Sequence, residues 1–211
     1  MEKLTKLRSV AAPLMEDAID TDVIFPARFL LLLERDGLGR YAFNERRGGN
    51  EPFVLDQPPY DKAQILVTGE TFGTGSSREQ AVWALADLGI RCVIARSFGE
   101  IFHANCFKNG VLPIRLQGEE MARMEKAARA GEEVEVDLPS QTIRVGDTAI
   151  AFEIEANRKR ALMAGLDEIG AILSDDAEAL AAYEERRARE TPWLVLAPEQ
   201  FGQIKSEEDA A

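Results

Sequence analysis

Short apolar runs and amphipathic stretches alternate through the middle of the chain. The run Gln64-Ile65-Leu66-Val67-Thr68 is continuous and β-branched, the pattern of a short strand rather than a helix. Arg78 to Leu88 then carries Ala81, Ala84, Leu85 and Leu88 at helical spacing. The alternation continues with a strand over 91–95, a helix over 98–108 and a strand over 111–116. Such a β-α-β-α-β order predicts parallel pairing through right-handed crossovers, hence an α/β fold with a ligand cleft at the carboxyl ends of its strands.

Outside this block the pattern changes. A short opening strand precedes Asp20-Thr21-Asp22-Val23-Ile24-Phe25-Pro26, two carboxylates before an apolar run broken by proline. Either Asp caps the turn or presents its carboxylate to a cleft. Residues 44–60 are turn-rich and read as a surface excursion held by Phe53 and Tyr60, with the Gly48 region suited to a flap over substrate. An amphipathic helix over 119–130 stops at Gly131. Val134, Val136 and Leu138, then Ile143, Val145 and Ile150, predict a hairpin, and Phe152 to Glu155 a further strand. Beyond Asn157 the pattern is helical: Leu162, Leu166, Ile169 and Ile172 form a stripe weakened by Gly170, and Ala177 to Arg189 surrounds a thin apolar seam with charge. The acidic tail, Ser206 to Ala211, is expected to fray.

Composition narrows the function. The 211 residues are 45% hydrophobic and 29% charged, ordinary for a globular protein with one principal domain. With 25 Lys+Arg against 37 Asp+Glu, the formal charge of -12 argues against a nucleic-acid or anionic-membrane surface. An anionic substrate then needs a local basic pocket, for which Arg78 and Arg28 are candidates. Met1 to Lys6 lacks the apolar core of a signal peptide and no run spans a bilayer, so a cytoplasmic protein is expected. Cys92 and Cys106 read as reduced thiols, too few for an iron–sulfur cluster, and the lone His103 assembles no zinc site. Any metal must come from another chain. Between Phe102 and Phe107, His103 reads as packed rather than catalytic.

The candidate chemistry lies in Phe72-Gly73-Thr74-Gly75-Ser76-Ser77-Arg78-Glu79, between the predicted strand and helix. Gly73 and Gly75 allow close backbone approach, and a helix N-terminus, two hydroxyls and a guanidinium together suit a carboxylate. Ser76 and Glu79 also stand at capping-box spacing, so Ser76 caps the helix, faces the cleft, or does both. The spacing fits neither a dinucleotide fingerprint nor a P-loop, and no Gly-x-Ser-x-Gly elbow is present.

Three separated motifs carry a resemblance: Asp20 to Pro26, Phe72 to Glu79, and Ser97-Phe98-Gly99-Glu100-Ile101-Phe102-His103-Ala104-Asn105-Cys106-Phe107-Lys108-Asn109-Gly110. Together they resemble the small subunits of 3-isopropylmalate dehydratase (isopropylmalate isomerase), and Gly37 to Phe43 and Gly165 to Gly170 extend the likeness to about Trp193. The resemblance implies the swivelling three-layer β/β/α domain of the aconitase superfamily over 1–155, with a helical C-terminal extension over 156–211. It implies a hydro-lyase of leucine biosynthesis, active only with a large subunit that carries a four-iron, four-sulfur cluster and meets the hydroxyl and carboxylate of a small dicarboxylate. It further implies Ser76 as base, Ser77 and Arg78 as ligands of a substrate carboxylate, and Asp22 as an active-site carboxylate, with Thr21 and Arg28 beside the substrate and Gly73, Thr74 and Gly75 shaping the loop. The family's loop usually reads Asn-Phe-Gly-Cys-Gly-Ser-Ser-Arg-Glu-His-Ala-Pro, so Thr71, Thr74, Gln80 and Val82 depart from it, as does Leu31, where a basic residue is common. Those departures leave room for a related diacid, dimethylmalate or citramalate, and a noncatalytic carboxylate-binding module is the alternative outside enzymes.

Overall fold

A computed structural model describes residues 1–32, 34–47, 49 and 51–194. The expected flap at Gly48 and the tail over 206–211 lie outside the described residues. A mixed seven-stranded sheet organises the first of two units, Met1–Glu168. Its opening strand β1 (Lys6–Leu14) is longer than the sequence suggests because its halves serve different partners. Lys6–Val10 pairs antiparallel with β5 (Glu133–Asp137), whereas Ala11–Leu14 pairs in parallel with β2 (Ile65–Thr68). From β2 the parallel half continues to β3 (Cys92–Ala95) and β4 (Leu112–Arg115). The other half is an antiparallel meander of β5, β6 (Thr142–Val145) and β7 (Thr148–Ala151), one strand more than the predicted hairpin.

Every residue of β2 and β3 is buried, as continuous apolar runs require when both faces are covered. Alternate residues enter two cores. Leu66, Val93 and Ala95 pack with Phe25, Phe43, Phe72, Leu85 and Phe102 on one face. Ile65, Val67, Cys92 and Ile94 pack on the other with Met121, Met124 and the meander's Val134, Val136 and Ile143. The first core receives α1 (Thr21–Ile24), α3 (Gln80–Asp87) and α4 (Glu100–Lys108), and the second α5 (Gly118–Arg129). Each fully buried Leu or Phe stabilises this arrangement by roughly 1.5–3 kcal/mol relative to exposure. Gly131, at φ +68°, closes α5 with its N–H on Ala128 O (3.1 Å) and that of Glu132 on Ala127 O (3.0 Å).

The excursion over 44–60 opens with α2 (Asn44–Arg47) and is tied down as expected: Phe53 packs on Phe43 at 5.2 Å, and the Tyr60 hydroxyl donates to Ala128 O at 2.8 Å. Two expectations fail at the end of the unit. Phe152 to Glu155 is no strand, although Phe152 N–H still donates to Gln141 O at 3.0 Å. The apolar stripe from Leu162 is not one helix, because Gly165 at φ +72° ends α6 (Ala156–Ala164) before α7 (Glu168–Asp175) begins. The second unit, Ile169–Ala211, contains most of α7 and the charged α8 (Ala177–Glu190). Among the described residues no helix is long and apolar enough to cross a membrane.

Candidate active site

Three loops meet at the carboxyl ends of the parallel strands: Thr21 and Asp22 follow β1, Ser76 follows β2, and Gly99 follows β3. Hydrogen bonds between backbones knit them together. Thr21 N–H donates to Thr74 O (2.9 Å), Gly73 N–H to Ile19 O (2.7 Å), Phe72 N–H to Ser97 O (3.1 Å) and Gly99 N–H to Phe72 O (2.9 Å). Gly73 has φ +74°, and a Cβ on it would fall within the Phe102 ring. The strand-end loops are thus packed face to face, with no room for a side chain at their crossing.

Between them lies a cleft of about 530 Å³, lined by Gly73, Thr74, Gly75, Ser76 and Ser77 on one side and by Gly99 to Phe102 on the other. Thr21, almost fully buried, places its Oγ1 2.9 Å from Ser76 Oγ. The two hydroxyls are 55 residues apart in sequence. At the loop's edge the Arg78 guanidinium donates to the Asp22 carboxylate. Arg78, and secondarily the Ala27 N–H, hold the Asp22 carboxyl below the usual carboxylate range.

The capping box does not form. The loop's contacts with Ile19 and Thr21 and the positive φ of Gly73 and Gly75 hold the chain out of helical conformation, so α3 starts only at Gln80. Glu79 accepts from Asn109 Nδ2 at 2.8 Å and Trp83 Nε1 at 3.2 Å, leaving Ser76 to Thr21. Ser76 therefore sits beyond the first turn, where the helix dipole counts for little. The backbone N–H groups of Ser76, Ser77 and Arg78 have no partner among the described residues.

Other candidates fall elsewhere. Asp20, not Asp22, caps the short helix, accepting from Val23 N–H at 2.8 Å. Arg28 does not line the cleft, and its guanidinium donates to Glu45 and Asn44 and lies over the Phe29 ring. The described residues of 28–35 provide no wall of the cleft, and Leu31 is 90% exposed. Ile101, on α4, does line it and remains half-exposed. Only its exposed position on a helix otherwise anchored by Phe102 and Cys106 could have signalled this. His103 lies between Phe98, tilted at 5.5 Å, and Phe107, edge-on at 5.2 Å, and does not line Ser76's cleft.

The described residues offer no donor set suited to an iron–sulfur cluster. The two cysteines are buried, with thiols pushed up by desolvation, and the described residues contain no group of three His, Cys, Asp or Glu placed to ligate a metal.

Comparison with known proteins gives a consistent result. Residues 1–119 match the family model described as the aconitase C-terminal domain and 122–156 one described as LeuD_N. Residues 175–197 match the model for the C-terminal domain of the 3-isopropylmalate dehydratase small subunit. The chain is 52% identical over 202 residues to the 3-isopropylmalate dehydratase small subunit of Dinoroseobacter shibae, covering 92% of this chain and 100% of that one. To the same protein of Xanthobacter autotrophicus it is 48% identical, with equal coverage. A crystal structure of 3-isopropylmalate dehydratase from Methanocaldococcus jannaschii superposes with a TM-score of 0.64 at 28% identity, covering 85% of this chain and 99% of that one.

Proposed function

The chain belongs to the family of 3-isopropylmalate dehydratase small subunits, and on that premise we propose that it is the smaller half of a two-chain hydro-lyase of leucine biosynthesis. The enzyme interconverts 2-isopropylmalate and 3-isopropylmalate by removing water and adding it back at the neighbouring carbon. The observation carrying the reading is the Ser76 hydroxyl, which lines the cleft and is held at 2.9 Å by Thr21, with the Arg78–Asp22 ion pair joining the same two loops.

Elimination needs a base at a weakly acidic C–H and an electrophile at the departing hydroxyl. Ser76 Oγ, as alkoxide, takes the proton; the C–H electron pair becomes the second bond of the alkene, and hydroxide leaves from the adjacent carbon. Thr21 Oγ1 and nearby unpartnered backbone N–H groups favour negative charge on that oxygen. Ser77 and Arg78 bind a substrate carboxylate, for which Arg78 exchanges Asp22. Asp22 acts by keeping Arg78 aimed until then. Arg28 reaches substrate only by leaving Glu45 and Asn44. Gly73, Thr74 and Gly75 fix the loop's path, and Ile101 offers an apolar wall to the alkyl group. We assign the electrophile to a four-iron, four-sulfur cluster on the larger subunit, since the donors of this chain do not fit one. Two free, buried thiols suit a reducing compartment, and we place the enzyme in the cytoplasm.

The test combines the purified chain anaerobically with the large subunit encoded nearest to it, and follows the unsaturated diacid formed from 2-isopropylmalate, dimethylmalate or citramalate. Turnover should require both chains and be fastest with 2-isopropylmalate, and Ser76→Ala should abolish it while leaving the complex intact. Preference for another diacid would move the substrate; full activity of Ser76→Ala would remove the base; a stable but inactive complex would favour a binding module.

A further inference from the structure

A second and larger cleft, of about 800 Å³, has no residue of the Ser76 loop in its lining. It lies between the two edge strands of the sheet, with Arg115 of β4 on one side and Ala151 of β7 and the chain that follows on the other. Its volume falls within the range of small-molecule sites. Helix α4 borders both clefts with different residues: Ile101 and Phe102 face the first, His103 and Phe107 the second.

The chemistry of this cleft is not used by the proposed reaction. Arg115 is exposed, and its guanidinium makes no ion pair or hydrogen bond among the described residues. Its neighbour Arg158 is already committed, pairing with Glu155 at 3.1 Å and lying over the Phe107 ring at 4.6 Å. The backbone adds a donor. Leu112 and Leu116 send their N–H groups to Arg91 O (2.9 Å) and Ala95 O (3.1 Å), so by alternation the amides of residues 113 and 115 face the free edge of β4. Pro113 has none, which hinders addition of a strand there, and the Arg115 amide is left at the free edge. The His103 ring also lacks a hydrogen-bond partner among the described residues. Phe107 and Phe152 provide apolar wall. Glu120 and Glu153 stand in the same lining beside the Arg158-paired Glu155, and their charge disfavours anions in proportion to charge, so a multiply charged anion such as phosphate is disfavoured more than a monocarboxylate.

We propose that this cleft is a second binding site, for a small monocarboxylate with an apolar body: the carboxylate meets Arg115 and His103, and the body lies against Phe107 and Phe152. Its lining shares no residue with the Ser76 cleft.

The experiment is an NMR titration of the full ¹⁵N-labelled chain with 4-methylpentanoate, beside its uncharged counterpart 4-methylpentan-1-ol and inorganic phosphate. Saturable amide shifts are expected at Phe107, Arg115 and Phe152 with the carboxylate alone. Arg115→Gln should weaken binding at least tenfold, whereas Ser76→Ala should leave it unchanged. Absence of saturable shifts, equal binding of the alcohol, stronger binding of phosphate, or shifts confined to residues 73–77 would each overturn the proposal. Because the map on the native chain locates the ligand by itself, the result stands even where Arg115→Gln folds poorly.

Discussion

Thr21 shows how much of the proposed chemistry rests on a single atom. A buried hydroxyl without a partner costs roughly 1–3 kcal/mol, so the fold gains little by hiding Thr21 unless its Oγ1 is satisfied, and Ser76 Oγ is its hydrogen-bonding partner. The pair is near neutral in the resting chain, and the bond strengthens when Ser76 becomes an alkoxide. A hydrogen bond to a charged group contributes about 1.5–3 kcal/mol, so Thr21→Val should lower kcat by roughly 10- to 150-fold with KM little changed. Thr21→Ser, which keeps the oxygen, should recover most of the rate. Steady-state kinetics of the two-chain enzyme decide the matter: a Thr21→Val enzyme altered only in KM would make Thr21 a substrate contact instead.

At the scale of elements, the loop between β2 and α3 is held by its neighbours more than by its own sequence. Gly73→Ala would force an alanine to φ +74° and press its Cβ into the Phe102 ring. Left-handed strain of about 1 kcal/mol and overpacking of about 1–3 kcal/mol add to a loss of roughly 2–4 kcal/mol. A fall of roughly 5–15 °C in melting temperature should follow, with Phe72 and Phe102 displaced. An unchanged melting curve would show that the two loops can separate cheaply. This crossing also marks the limit of what sequence reveals. The alternation of β2, α3, β3, α4 and β4 is legible because each element satisfies its own periodicity locally. Ser76 and Arg78 are legible too, since glycines, hydroxyls and an arginine share one turn. The start of α3 is not, because Ser76 and Glu79 have capping-box spacing while the contacts that cancel it come from Ile19 and Thr21. The division of β1 between two partners depends likewise on β5, more than a hundred residues away. Nor does local pattern explain Thr71, a β-branched residue at φ +52° where the resembling family carries asparagine, a residue better suited to that region.

For the whole molecule, the excess of acidic groups and the single histidine pull stability in opposite directions as pH falls. Protonating carboxylates relieves the repulsion within a chain of formal charge -12, which favours the folded state on mild acidification. His103 opposes this. Half-buried between Phe98 and Phe107, it is pushed down from 6.5 to about 4, first by desolvation and then by the charges of Arg115 and Arg158. Folding thus favours the neutral ring. Its contribution is present in full above the unfolded value near 6.5, and is lost as pH falls from there through the folded value near 4. Discounted for the exposed part of the ring, the loss is about 1–2 kcal/mol. Glu16, lowered by Arg46, and Asp137, held at about 2 by Ser140 and Lys6, add losses of the same sign at lower pH. Denaturant melts of the native chain and His103→Gln between pH 7.5 and 4 separate the terms. The stability advantage of the native chain over the variant should shrink steadily across that interval and be flat above pH 7.5; a difference independent of pH would mean that the ring titrates alike in both states and that its aromatic neighbours, with the two arginines, exert no net effect on its proton.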